Sequence, residues 1–318
     1  MKKFNQRTIY FHFLKSGAPV FFCLFLSVAS IAQHVHDTTS YIQTVDIKTG
    51  KIDTVLSVKG RYEAPNWHPD NFLVVNFNGK IYKLSLADKQ LTEINTGSVN
   101  QIMDDHGLSP DGKWIAITSF DMNTPSQKLY KFSMYIVPSE GGEPRKIISQ
   151  DLSFWHGWSP DGRTIAYCGG EFTNLDVYTI PVEGGAPKRL TDAQGLDDGP
   201  DYSRDGKYIY FHSYRSGRMQ IWRMRTDGSQ QEQMTFDENA NWFPHPSPSN
   251  KWVAYIAYTT DEKQNHPFGK NVKLRLMDPK TKVVKDITPV FYGGAGTINT
   301  PSWSPDSRKV AFVSYVVN

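Results

Sequence analysis

Three histidines of this chain, His106, His156 and His245, stand at nearly the same place in three copies of a recurring phrase. The first two lie three residues before the serine of the phrase, and His245 lies one residue off that register. Their surroundings are polar: Asp104-Asp105-His106-Gly107, Trp155-His156-Gly157, Leu196-Asp197-Asp198-Gly199-Pro200-Asp201, Asn241-Trp242-Phe243-Pro244-His245 and Thr297-Ile298-Asn299-Thr300. A further histidine, His266, falls within Asn265-His266-Pro267-Phe268, and Arg215 and Arg218 fall in a corresponding stretch one repeat earlier. Neutral imidazole suits zinc, manganese or iron, so His106, His156 and His245 form a candidate set for a divalent metal. The same residues could supply a general base beside a cation such as Arg215. The plain alternative is that His-Gly and Asp-Gly pairs cap strand entries while the aromatics pack between repeats. The candidate ligand-binding set is His106, Trp155, His156, Asp198, Arg215, Trp242, His245 and His266. Trp155 and Trp242 lie outside the repeated pattern, where an aromatic can stack on a sugar ring or grip a peptide; Trp158 and Trp303 occupy repeat positions and read as core.

The phrase that gives these residues a common register occurs six times. Its copies are Trp67-His68-Pro69-Asp70-Asn71, Leu108-Ser109-Pro110-Asp111-Gly112, Trp158-Ser159-Pro160-Asp161-Gly162, Tyr202-Ser203-Arg204-Asp205-Gly206, Pro246-Ser247-Pro248-Ser249-Asn250 and Trp303-Ser304-Pro305-Asp306-Ser307. Their fourth residues are spaced by 41, 50, 44, 44 and 57. A period of about 40–50 residues marks a propeller or array, in which no single repeat can bury its apolar face alone. Proline presets φ at the second position of a turn, Asp favours the third, and Gly takes the left-handed position, so each phrase predicts a tight hairpin. Strand-like stretches flank it, as in Ile165-Ala166-Tyr167-Cys168, and third and fourth strands follow in each unit. Ser109, Ser159 and their equivalents are turn residues at the far end of these hairpins, not nucleophiles. Four antiparallel strands per unit make a propeller blade. The last phrase is followed by one strand, Val310–Tyr315, while Tyr41–Asp46 and Lys51–Val55 resemble third and fourth strands with no phrase before them. The expected fold is therefore all-β, a six-bladed β-propeller over residues 41–318, its sixth blade closed by two strands from each terminus. In such a ring the entry segments converge on the channel mouth.

The repeated Ser-Pro-Asp-Gly-(Lys/Arg) followed by Ile-Ala-Tyr-type strands resembles the TolB-like propeller repeats. So does Ser213-Tyr214-Arg215-Ser216-Gly217-Arg218-Met219-Gln220-Ile221-Trp222. The resemblance spans nearly all of the chain after its leader and is specific to the fold rather than to one activity. The family's namesake has an α/β domain ahead of its propeller; about eight residues here separate the expected cleavage point from the first strand, which leaves that domain out. Peptidases with a related propeller add an α/β-hydrolase domain, and no Gly-x-Ser-x-Gly elbow occurs here.

Residues 1–32 read as a signal peptide: Lys2, Lys3, Arg7 and Lys15 precede an apolar run from Val20 to Ala32 that ends in Ser30-Ile31-Ala32. Residues 33–40 read as a short linker. The formal charge of the whole sequence is +3, but the leader carries four basic and no acidic residues, and the remainder holds 31 basic against 32 acidic. No basic surplus remains for nucleic acid. Outside the leader the only cysteine is Cys168, so no internal disulfide forms. These features predict a periplasmic or secreted monomer without a membrane span once cleaved. The expected function is a binding platform for a protein, peptide or glycan at the channel mouth. The alternative is a metal-assisted lyase or hydrolase acting on saccharides through the histidine cluster.

Overall fold

A computed structural model describes residues 37–121, 131–149 and 152–317. The expected signal peptide lies outside the described residues, as do residues 33–36 of the linker. The first strand, Thr38–Asp46, takes in the remaining part of that linker. Among the described residues no helix is long and apolar enough to cross a membrane.

Among the described residues every regular element is a strand, and the strands form six antiparallel sheets. Blades 1 to 5 each run outward in chain order through four strands, beginning with Glu63–Trp67, Ile102–Leu108, Ser153–Trp158, Asp197–Tyr202 and Ala240–Pro246, and blade 5 adds a fifth, Phe291–Gly293, against its third. These first strands pack against one another from blade to blade, which places them around the axis. Blade 6 unites the termini: Thr38–Asp46 pairs with Ile52–Lys59 on one side and with the C-terminal strand Lys309–Val317 on the other. Its innermost member is the irregular run 297–303. That run is held by Ala311 N–H to the Ser302 carbonyl at 2.8 Å, Val313 N–H to the Thr297 carbonyl at 3.1 Å, and a Trp303–Val310 bridge. The result is the expected six-bladed β-propeller, with the ring closed by both ends of the chain.

The phrase explains its own recurrence. In blade 3 the Ser159 hydroxyl donates to Asp161 at 2.6 Å and accepts the Thr164 N–H at 2.9 Å, while the Gly162 N–H closes the turn on the Ser159 carbonyl at 2.8 Å. The same bonds recur at Ser109, Ser203 and Ser304. The last phrase residue has φ of 73°, 69° and 68° at Gly112, Gly162 and Gly206, and 64°, 56° and 60° where Asn71, Asn250 and Ser307 replace glycine. These serines are consumed by their turns. The core lies between blades: Met134 and Ile136 of blade 2 meet Trp155, Trp158, Ile165 and Tyr167 of blade 3. Each fully buried side chain of this kind contributes roughly 1.5–3 kcal/mol. Indole donors fasten the inner ring, Trp158 to the Gly107 carbonyl at 3.0 Å and Trp303 to the His245 carbonyl at 2.8 Å.

Candidate functional site at the strand-entry mouth

At the end of the inner strands away from the turns, the first strand of each of blades 1 to 5 carries a register break. The breaks fall between Glu63 and Asn66, Ile102 and His106, Trp155 and Gly157, Asp198 and Asp201, and Trp242 and His245. A bulge re-aims the side chains beside it. Three of these breaks contain a left-handed residue, Ala64 at φ 52°, Gly199 at 63° and Phe243 at 52°. Only glycine adopts that conformation without cost, so Ala64 and Phe243 store strain at this end of the channel.

The breaks bring together polar groups from all six blades. Arg61 and Glu63 of blade 1 form an ion pair at 2.6 Å. Blade 2 supplies Asp104 and Asp105, blade 3 His156, blade 4 Asp198, and the long loop of blade 5 His266. Blade 6 adds Asn299, whose amide donates to Asp104 at 2.8 Å. Burial pushes the Glu63 carboxyl up to about 7, Arg61 opposing this and Asp104 adding to it. Burial, then the neighbouring Asp104 charge, pushes Asp105 well above the usual carboxylate range, against the pull of His156. Asp198 goes the other way. Burial would raise it, but the His156 and His212 imidazoles beside it hold it well below that range. Burial likewise opposes a charge on His156, yet Asp198, 2.8 Å from Nε2, with Asp105 and Asp104 behind it, leaves that imidazole raised. The mouth therefore holds four carboxyl groups against one guanidinium and one raised imidazole.

The structure distributes the expected site residues unevenly. His156, Asp198 and His266 meet at this mouth. His266 is half-buried there, 5.0 Å from the rings of both Trp242 and Phe243, and burial lowers its pKa. His106, His156 and His245 do not come together as a metal triad. In blade 2 the register break precedes His106, which pairs with Ile117, whereas in blade 3 His156 is itself the extra residue. His106 is fully buried, neither ring nitrogen has a hydrogen-bond partner, and burial lowers its pKa to about 4. His245 is a tie between blades: Nδ1 lies 3.1 Å from Asp201 Oδ2, and Nε2 donates to the Ile298 carbonyl at 2.9 Å. Arg215 stands within blade 4, paired with buried Asp197, bonded to Ser213 at 2.9 Å and stacked 4.9 Å over Trp222. Trp155 and Trp242 are fully buried and pack between blades. Trp155 seats its ring where a Cβ on Gly107 would come within 2.0 Å of it.

Sequence reasoning did not single out Arg61, Glu63, Asp105, Cys168 or His212 for a site. Five residues before the phrase's second position stand Glu63, Asp104, Asp198 and Asn299, a register that marks the mouth in four blades. Cys168 and His212 sit on second strands, behind the entries. Cys168 Sγ is 3.6 Å from His156 Nε2, and burial, then the Asp198 charge, pushes its thiol well up. His212 accepts the Phe243 N–H on Nδ1 at 3.2 Å, so its ring proton is on Nε2, 3.5 Å from Asp198 Oδ2. Burial lowers its pKa to about 4. Among the described residues, the one set of three or more His, Cys, Asp or Glu donors gathered within 4.8 Å is His156, Cys168 and Asp198.

Residues 145–289 match the family model described as the TolB beta propeller domain. An uncharacterized protein of Agrobacterium fabrum is 42% identical over 278 residues, which cover 87% of this chain and 92% of that protein. The Tol-Pal system protein TolB of Wolinella succinogenes is 25% identical over 189 residues, covering 59% of this chain and 41% of that protein. Among solved structures, one from Agrobacterium tumefaciens described as a candidate TolB superposes with a TM-score of 0.82 at 41% identity, over 88% of this chain and 99% of its own. TolB from Acinetobacter baumannii shares the fold with a TM-score of 0.55 at 21% identity, over 86% of this chain and 57% of its own. With a relative so similar over nearly its whole length, the chain belongs to the TolB-like β-propeller family.

Proposed function

We propose that this protein is an exported binding module whose strand-entry mouth takes a cationic group presented by a protein or peptide. The observation that carries the reading is the surplus of acid at the mouth. Glu63, Asp104, Asp105 and Asp198 come from four blades, and only Arg61 and His156 oppose them. Partly buried charges are screened little by salt, so such a surplus selects strongly by sign. An ammonium or guanidinium would draw Glu63 and Asp105 into their charged forms and pair with them, whereas an acidic saccharide would find only Arg61 and His156, both already paired. This favours the platform reading over a lyase of acidic saccharides. Glu63 and Asp105 keep their protons more tightly than ordinary carboxyls because burial disfavours their charged forms. A bound cation reverses that preference, so binding releases protons and strengthens as pH rises.

The leader and the membership of a TolB-like family support export, and cell fractionation of the tagged full chain tests it directly. Calorimetric titration at pH 7.5 with tri-lysine, tri-glycine and a galacturonate trimer tests the specificity. Binding of tri-lysine alone is expected. Tighter binding of the galacturonate trimer would overturn the reading.

A further inference from the structure

Behind the mouth, in the seam between blades 3 and 4, three donors of different chemistry face one another without a counterpart among the other described residues. His156 on the first strand of blade 3, Cys168 on its second strand and Asp198 on the first strand of blade 4 all place donor atoms within 4.8 Å of each other. All three are buried. His156 Nε2 lies 2.8 Å from Asp198 Oδ1 and 3.6 Å from Cys168 Sγ. A tetrahedral zinc holds a thiolate at about 2.3 Å and an imidazole nitrogen at about 2.0 Å, which sets sulfur and nitrogen about 3.5 Å apart. The sulfur and nitrogen already stand at that spacing. We propose that His156 Nε2, Cys168 Sγ and the Asp198 carboxylate bind a divalent ion of the zinc class.

Two features give the site its character. The first is the donor set. One imidazole, one thiolate and one carboxylate suit zinc or cobalt(II) and disfavour calcium, magnesium and manganese, which prefer oxygen. Three protein ligands leave the fourth tetrahedral position for water or a ligand group. The second is the support behind Asp198. His212 is fully buried, and its Nε2 makes no hydrogen bond of good geometry although it points at Asp198 Oδ2 from 3.5 Å. Because Nδ1 already accepts the Phe243 N–H, Nε2 keeps its proton and cannot ligate. His212 is therefore a positioning residue, whose Nε2–H faces one carboxylate oxygen and would close on it as the other turns to the metal. When the ion enters, the Cys168 thiol and His156 Nε2 each give up a proton to solvent, the imidazole keeping its other proton on Nδ1, and the thiolate sulfur and Nε2 bind. The site ties two neighbouring blades together, as His245 and Asp201 do one blade further on by hydrogen bonds alone.

The site shares His156 and Asp198 with the mouth, but its test uses no mouth ligand. The purified, metal-stripped full chain is titrated with cobalt(II). The expected result is a stoichiometric complex with tetrahedral d–d bands and a near-ultraviolet thiolate-to-cobalt charge-transfer band. Cys168→Ser should lose the charge-transfer band and bind at least tenfold more weakly, and His212→Gln should keep the band but lose about 10–100-fold in affinity. Zinc-edge X-ray absorption on the unmutated, zinc-loaded chain keeps the test open if a variant fails to fold. One sulfur scatterer at about 2.3 Å with nitrogen and oxygen neighbours at about 2.0 Å is expected. Folded wild-type protein that binds no cobalt, a cobalt spectrum unaltered in folded Cys168→Ser, or a zinc shell without sulfur would each overturn the assignment.

Discussion

The two ends of the inner strands handle polar groups in opposite ways. At the turn end, Ser, Asp and the left-handed residue satisfy one another within six residues in four of the six phrases. Trp67, Leu108, Trp158, Tyr202 and several prolines then line a cavity of about 300 Å³ at that opening. At the entry end the blades diverge: one register position holds Glu63, Asp104, Asp198 and Asn299 in four blades and Phe154 and Trp242 in the other two. There, carboxyl groups crowd together, histidine nitrogens lack partners, and Phe243 holds a strained backbone. Repetition in this molecule marks what builds the ring, and departure from it marks where binding chemistry collects.

The largest effect that would sharpen this contrast is at Gly199. A methyl group there must adopt φ 63° and would lie 2.5 Å from the His212 ring, with Phe243 at 3.3 Å. Gly199→Ala should therefore destabilise the fold by about 3 kcal/mol, the sum of backbone strain and overpacking, read as a lowered denaturant midpoint. Next comes Asp105→Asn. Removing a carboxyl that burial holds far above its ordinary range should stabilise the protein by about 1–2 kcal/mol at pH 8, while weakening tri-lysine binding about tenfold. A gain in stability bought with lost affinity is the signature of a functional site.

Glu63 gives the pH dependence. Its carboxyl is raised to about 7 from an ordinary value of 4.5, so across that window the folded state holds a proton that the unfolded chain has lost. Stability accordingly falls as pH rises through the window. Asp105 and His156, also raised, act with the same sign. Glu63→Gln should flatten the decline, the gap to wild type growing by at most about 3 kcal/mol between pH 4.5 and 8. His106 and His212 run oppositely, since both are lowered to about 4, and they cost stability as pH falls below 6.5. The smallest effect belongs to the turn face. Asp161→Asn weakens the bond from Ser159 and should cost about 1 kcal/mol, with tri-lysine affinity unchanged.

The ring was legible in the chain because a hairpin turn is a local device. Pro160, Asp161 and Gly162 each fix one dihedral or one hydrogen bond, and six copies at a blade's spacing leave little choice of architecture. The mouth was half legible. His156 and Asp198 could be placed near the axis by register and His266 by the loop that carries it, and the structure brings the three to one end. His106 fails the same argument because a break of two extra residues precedes it, and no residue type announces where such a break falls. His245 fails it because its partners, Asp201 and the Ile298 carbonyl, come from neighbouring blades. Cys168 and His212 were hidden for a related reason. They lie within apolar runs of second strands, where sequence alone reads them as core.

The central claim is that the unequal entry residues, not the repeated ones, carry binding, and proton-linked calorimetry tests it most directly. Tri-lysine titrated into wild type between pH 6 and 8 should bind more tightly as pH rises and release protons. Asp105→Asn should diminish both effects, and Asp161→Asn should leave them intact. Binding that is indifferent to pH and equally weakened by both substitutions would contradict the account.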